Sequence, residues 1–259
     1  MYGGLTEGFV LLRRLARIAA PVIALSAAVA VSSAPAANAV IPLKNRAMIT
    51  TTKSGYLFRA GQQDSHLVVK HVDGGIRFAD SGTAAWKSLP RACHRQSVSR
   101  GIAAVCHIPG RFGPSNPMTL QIWTRLGDDY IDGSSLSHAF KLSVLADAGH
   151  DVVYGGAGND FVNGAQDGDR VHGGPGNDWI RTGIGNDHLW GGSGNDKLVG
   201  QDGRDRLYGG DGADRLYGSN GHDVLWGQSG SDLLNCGSAG DTAHRDGGDR
   251  VRSCETVTR

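Results

Sequence analysis

Gly155-Gly156-Ala157-Gly158-Asn159-Asp160-Phe161-Val162-Asn163 and Gly191-Gly192-Ser193-Gly194-Asn195-Asp196-Lys197-Leu198-Val199 are two copies of one nonapeptide. The phase they share governs the chain around them. From Asp151 an aspartate returns every nine residues, at Asp160, Asp169, Asp178, Asp187, Asp196, Asp205, Asp214, Asp223, Asp232 and Asp241. Two residues after each of the first ten stands Val153, Val162, Val171, Ile180, Leu189, Leu198, Leu207, Leu216, Leu225 or Leu234. Glycine stands two residues before nearly all of them, as at Gly158, Gly176, Gly194 and Gly212.

The period has a direct physical reading. Glycine reaches positive φ without a steric cost, so the first six residues of each copy are expected to turn. The last three are expected to form a short strand, with the aliphatic pointing in and its neighbours pointing out. Two copies then make one coil, and residues eighteen apart stack. Stacking buries a column of Val, Ile and Leu that no single copy could bury alone. It also brings Asp160, Asp178 and Asp196 into facing turns, where bare carboxylates repel. A hard divalent cation taking oxygen ligands resolves that conflict. A metal-free solenoid, with each Asp hydrogen-bonding its own turn, is the competing expectation.

These residues resemble the RTX, or haemolysin-type, calcium-binding nonapeptide repeats over residues 149–235. The resemblance implies an all-β fold, a right-handed parallel β-roll or β-solenoid with Ca2+ between stacked turns. It implies metal ligands at Asp151, Asp160, Asp169, Asp178, Asp187, Asp196, Asp205, Asp214, Asp223 and Asp232, with Asp241 as a further candidate. It adds loop carbonyls of Gly156, Gly158, Gly174, Gly176, Gly192, Gly194, Gly210 and Gly212, and several ions in all. Some copies depart from the pattern. The Asp169 copy reads Gly164-Ala165-Gln166-Asp167-Gly168, the Asp187 copy opens on Thr182, and Gln201, Ser219 and Gln228 replace the second glycine. Those turns are expected to bind more weakly.

Outward from the repeats, four segments are expected: 1–39, 40–146, 147–235 and 236–259. The first reads as a signal peptide, with Arg13, Arg14 and Arg17, an apolar run from Ile18 to Val31, and Ala37-Asn38-Ala39 as a small-x-small cleavage site. That predicts a secreted, extracellular protein with no membrane span after cleavage. Removing the three arginines and Glu7 leaves 23 basic and 24 acidic residues, which argues against a nucleic-acid binder. Segment 40–146 predicts short strands and an Asp73-Gly74-Gly75 hairpin turn, forming an N-terminal β cap over the open end of the solenoid. Its layout resembles the leader of secreted actinobacterial calcium-binding proteins. Gly127-Asp128-Asp129-Tyr130-Ile131 resembles a truncated repeat outside the nine-residue phase. Cys93 with Cys106, and Cys236 with Cys254, are expected to form two local disulfides in an oxidising compartment. The second would pin a charged C-terminal cap in which the repeat is lost.

No catalytic constellation is visible; there is no H-E-x-x-H, and Gly191-Gly192-Ser193-Gly194-Asn195 fails G-x-S-x-G at its last position. The expectation is a non-enzymatic protein. One outward column, Tyr154, His172, Trp190, Tyr208 and Trp226, repeats every eighteen residues with Arg170, His188 and Arg206 beside it. Stacking of those rings would hold coils together. Alternatively, the column would form a surface for a glycan, a cell-wall polymer or a protein.

Overall fold

The computed structural model describes residues 46–61 and 63–259. The expected signal peptide lies outside the described residues. Among the described residues there is no helix, and none long and apolar enough to cross a membrane. The fold is all-β: an 11-stranded and a 12-stranded sheet face each other, and the chain alternates between them. In the first sheet, Phe161–Gln166, Trp179–Ile184, Lys197–Asp202, Arg215–Asn220 and Leu233–Ser238 pair in parallel. In the second, Val152–Tyr154, Arg170–Pro175, His188–Ser193, Arg206–Gly212 and Val224–Gly230 do the same. Every pairing has a register of eighteen, as Val162↔Ile180 and Leu189↔Leu207 show. This is a parallel β-roll.

The aliphatic column fills its interior. Val153, Val171, Leu189, Leu207 and Leu225 face Val162, Ile180, Leu198, Leu216 and Leu234, all at 0% exposure. Burial of each contributes roughly 1.5–3 kcal/mol relative to leaving it in water. The strands are longer than the sequence suggested. Six-residue strands such as His188–Ser193 carry the pairing through Gly192 and Ser193, so the turn shrinks to about Gly194-Asn195-Asp196. The physical reason is that stacked glycines offer bare main chain on both sides. Gly174 pairs with Gly192, and Gly192 with Gly210, without any side chain in the way.

The stack extends beyond the repeats in both directions. Met118–Trp123 and Gly55–Arg59 continue the first sheet in parallel, and Tyr130–Asp132 and His66–Val72 continue the second. Tyr130-Ile131 pairs with Val152-Val153 at a spacing of 22, so the truncated repeat is a coil with four extra residues. Antiparallel strands then close the end. Arg46–Thr51 lies against Gly55–Arg59, Gly75–Asp80 against His66–Val72, and Ile102–Cys106 against Gly75–Asp80. The hairpin turn falls at Asp73-Gly74, between paired Val72 and Gly75. Tyr56, Phe58, Phe78 and Trp86 fill this end with rings that no coil of the repeat contains. Ala85–Ser88 and Cys93–Gln96 are additional strands without periodic signal.

At the other end Arg250–Arg252 and Thr256–Thr258 add another coil, with Leu234↔Val251 and Ala243↔Val257 in register. Their spacings of 17 and 14 hid them from a search at eighteen. Both disulfides form, Cys93–Cys106 across a strand pair and Cys236–Cys254 into this last coil.

Candidate metal centre

The turns fall into two rows, which the numbering separates. The even row holds Asp160, Asp178, Asp196, Asp214 and Asp232; the odd row holds Asp151, Asp169, Asp187, Asp205, Asp223 and Asp241. All eleven are buried, at 3% exposure or less. In each row the Asp backbone N–H donates to Oδ1 of the next Asp along. The even links span 2.7–2.8 Å up to Asp232, and the odd links span 2.8–3.0 Å. Asp129, from the truncated repeat, and three residues absent from the sequence expectation complete the rows. Asp129 opens the odd row by accepting from Ser65 and donating to Asp151, and Glu255 closes it on the Asp241 N–H. Asp249 closes the even row on the Asp232 N–H at 3.0 Å, and Leu142 donates to its first member, Asp160. Asp249 and Glu255 fall out of phase in sequence. Only the stacking of the last coil identifies them.

Oδ1 is thus spent on the scaffold, and Oδ2 is free to do something else. It is buried with no hydrogen-bond partner in Asp129, Asp151, Asp169, Asp178, Asp187, Asp196, Asp205, Asp214, Asp223, Asp232 and Asp241. A buried carboxylate oxygen without a partner is costly. Wherever the first residue of the repeat, five positions before the Asp, is glycine, Oδ2 faces it. In the even row that residue is Gly155, Gly173, Gly191, Gly209 or Gly227, and its missing side chain leaves a gap into which Oδ2 and the next coil's main chain crowd. A methyl group built on Gly227 would lie 2.6 Å from Asp232 Oδ2 and 2.8 Å from Asp249 Oδ2. Built on Gly173, Gly191 or Gly209, it would collide with Oδ2 of Asp178, Asp196 or Asp214 and with the carbonyl of the next coil's first glycine. The gap therefore collects one carboxylate oxygen and main-chain carbonyls, the donor set of a hard cation. Among the described residues no three His, Cys, Asp or Glu side chains converge. An ion here would draw its remaining ligands from main-chain carbonyls and water.

The glycines named from sequence lie along the same edge. Carbonyls of Gly156, Gly174 and Gly192 face Gly174, Gly192 and Gly210, while those of Gly158, Gly176 and Gly194 face Gly176, Gly194 and Gly212. The first-glycine carbonyls of Gly173, Gly191, Gly209 and Gly227 are the ones beside Oδ2, and the sequence expectation did not include them. Asp160 differs from its row. Its Oδ2 accepts the Gly156 N–H at 2.7 Å, so its carboxylate is already satisfied by backbone.

Without a metal, burial pushes the carboxyls up, to about 8 in Asp151, Asp169, Asp178 and Asp205. Asp129 and Asp232 reach about 7. Asp160, Asp196, Asp214 and Asp223 reach about 6, and Asp187 and Asp241 are raised as well. Desolvation leads in every case, and neighbouring carboxylates add to it in most.

The turn apex has its own row. Asn159, Asn177 and Asn195 accept backbone N–H groups of the next coil through Oδ1 at 2.6–2.9 Å. In the odd row Asn186 does this for Arg204, and His150 and His222 do it through Nδ1 for Gly168 and Gly240. These two histidines are turn-builders.

The aromatic column stacks as its spacing predicts. Tyr154, His172, Trp190, Tyr208 and Trp226 lie 4.2–5.5 Å apart within 5° of parallel, and His244 extends the column at 4.9 Å. Ring faces are therefore covered by neighbouring rings, and only edges meet solvent.

A parallel roll whose turns line up buried carboxylates over glycine gaps is a calcium-binding β-roll. Residues 143–171, 163–198, 172–207 and 199–234 each match the family model of the RTX calcium-binding nonapeptide repeat, so this segment carries RTX repeats. No curated protein and no solved structure matches it.

Proposed function

We propose that this is a secreted, non-catalytic protein whose roll is folded or rigidified by extracellular calcium. The observation that carries the reading is the set of partnerless Oδ2 atoms, seven of which, in Asp169, Asp178, Asp196, Asp205, Asp214, Asp223 and Asp232, face a glycine. Asp178, Asp196, Asp214 and Asp232 would hold the ions of the even row, and Asp169, Asp205 and Asp223 those of the odd row. Calcium would supply positive charge to carboxylates that the fold forces together. Before it binds, these groups must either stay protonated or repel, and the glycine-rich chain pays a large entropy to order. Binding to the folded state alone then adds directly to stability. Both disulfides suit an oxidising compartment, which fits export to where calcium is abundant.

Far-UV circular dichroism during a titration from chelator to millimolar calcium, with disulfides intact, tests the coupling. The expected result is a cooperative gain of β signal that magnesium does not reproduce, since magnesium resists dehydration. Full β signal in chelator would reduce calcium to an accessory and overturn the proposal.

A further inference from the structure

The roll hides its acids and displays its bases. From residue 147 onward the chain has 18 acidic side chains and ten Arg or Lys. Twelve of the acids, the eleven row aspartates and Asp249, are buried. Asp147, Asp167, Asp202, Asp211, Asp246 and Glu255 are left outside, fewer than the bases. This holds whether protons or calcium neutralise the interior. A chain near zero net charge therefore has a cationic roll surface.

Some of these bases gather on the second sheet, apart from Arg215, Arg250 and Arg252, which border a separate cleft with Asp214 and Asp232. Arg170, His188 and Arg206 are register partners on the second sheet, followed in the same column by Val224 and Thr242. Arg204 and His222 stand beside them at the turn apex. Arg204, Arg206, His188 and His222, with Asn186, border an open cleft of about 390 Å³, and Arg170 lies one step further along the column, outside it. Asp205 and Asp223 also border it, but their carboxylates are buried and their Oδ1 atoms accept backbone N–H groups of Asp187 and Asp205. Arg206 Nη1 meets His188 Nε2 at 2.8 Å, so one cation rests on a neutral ring.

We propose that this cleft binds an extracellular polysaccharide bearing sulfate or phosphate esters. Guanidinium forks recognise such oxyanions in pairs of hydrogen bonds. Column members repeat at the strand spacing of about 4.8 Å, so Arg170 and Arg206 are about 10 Å apart along the roll. That arrangement suits a chain of anionic groups better than a single ion. Asn186 and Thr242 offer hydrogen bonds to hydroxyls, and Val224 offers an apolar floor for a sugar ring. This surface differs from the aromatic column, whose ring faces are occupied by each other.

The test is binding of the full chain, in millimolar calcium, to dextran sulfate, dextran phosphate and neutral dextran, with circular dichroism reporting the fold separately. The expected result is binding of one or both charged dextrans, weakened by salt, with none to neutral dextran. The double variant Arg204→Ala/Arg206→Ala is expected to lose about tenfold or more in affinity, as for charge-assisted contacts. Arg77→Ala/Arg95→Ala, in the N-terminal cap, is expected to change little. Should the double variant fold poorly, Arg204→Gln serves instead, since in this structure only its backbone N–H is engaged. The charged dextran preferred identifies the ester. No binding of either would overturn the proposal, as would equal weakening by the cap variant. Tighter binding of single-stranded DNA would overturn the choice of polysaccharide.

Discussion

The even and odd turn rows carry the same aspartates at the same period, with the same Oδ1 ladder, yet they are not equivalent. They differ at the first residue of the repeat. In the even row it is glycine five times running, Gly155, Gly173, Gly191, Gly209 and Gly227. The odd row reads Thr124, Ala146, Gly164, Thr182, Gly200, Gly218 and Cys236 over its members from Asp129 to Asp241. This residue faces the interior beside Oδ2, so a side chain there fills the space an ion would need. Thr182 is wholly buried and its hydroxyl donates to the Gly200 carbonyl at 3.3 Å. The lesson is that aspartate builds the ladder in both rows, whereas only a glycine before it lets Oδ2 and a main-chain carbonyl meet beside it, as at Gly173, Gly191 and Gly209.

Valine at the two kinds of first position should break this comparison most visibly. Gly191→Val places a branched side chain against Asp196 Oδ2 and the Gly209 carbonyl. It should abolish one site and overpack the interior by about 1–3 kcal/mol. Thr182→Val keeps the shape and loses one hydroxyl, at a cost of about 1 kcal/mol. Calcium midpoints from circular dichroism and bound-calcium counts check both. Equal damage from the two changes would mean that the first position does not set the site.

Removing charge without volume separates ladder from ligand. Asp196→Asn and Asp187→Asn both leave an acceptor for the backbone N–H that each serves. In the even row the change should raise the calcium midpoint about tenfold, because a charged ligand is lost. In the odd row, where Thr182 occupies the gap, it should raise it less than about twofold. Isothermal titration in calcium-loaded and stripped protein gives the answer. A similar rise for Asp187→Asn would place calcium against Thr182 after all.

Much of this contrast is readable in the chain, and the unreadable part has a physical cause. The register of eighteen, the inward aliphatic column from Val153 to Leu234 and the ring column from Tyr154 to Trp226 all follow from period alone, because stacking converts sequence spacing directly into contact. Thr182, Gln201, Ser219 and Gln228 are visible as exceptions for the same reason. What period cannot show is any coil whose turn differs in length. Asp129 sits 22 residues before Asp151, Asp249 is 17 after Asp232, and Glu255 is 14 after Asp241, yet all three occupy row positions. The closing strands Ala85–Ser88, Cys93–Gln96 and Ile102–Cys106 carry no period at all. Their pairing depends on the rings and the disulfide packed at that end.

Acidity should distinguish the empty rows from the loaded ones. Without calcium the folded-state values of about 6 to about 8 stand well above the ordinary carboxylate range near ~3.9. The folded chain then holds protons that the unfolded chain releases. Their contribution to stability is whole below about pH 4 and disappears as pH rises through about 6 and then about 8. Calcium reverses the sign, since it binds carboxylates and competes with protons. Thermal melts in chelator should therefore weaken from about pH 5 to about pH 8, and melts in millimolar calcium should strengthen. Parallel trends in the two conditions would mean that the ion does not meet these carboxylates.

Opening the odd row is a gentler change. Thr182→Gly recreates the gap found at Gly200 and Gly218, beside an Asp187 Oδ2 that already lacks a partner. Native mass spectrometry in calcium should show one more ion than in the parent chain. In chelator the same change should cost stability, through lost packing of a fully buried side chain and about 1 kcal/mol of added backbone entropy. Gain in calcium combined with loss in chelator is the signature; loss in both would show that glycine alone does not make the site.

The smallest effect belongs to the second position, where single copies in either row depart from glycine at a positive φ. Glycine there takes φ of 103–120° at Gly174, Gly183, Gly192 and Gly210. Gln201, Ser219 and Gln228 are held at 88°, 90° and 70°, a region that costs an L-residue about 1–2 kcal/mol. They persist because register fixes them: Gln201 pairs with Gly183 and Ser219, and Gln228 with Gly210. Replacing Gln201 or Ser219 by glycine removes that cost but adds about 0.5–1 kcal/mol of freedom to the unfolded chain. The net gain should be under about 1 kcal/mol, a rise in melting temperature of about 2–4 °C at most. The gain should be the same in chelator and in calcium, because these side chains do not face the gap. A gain confined to calcium would move the second position into the metal site and erase the distinction between building a turn and binding in it.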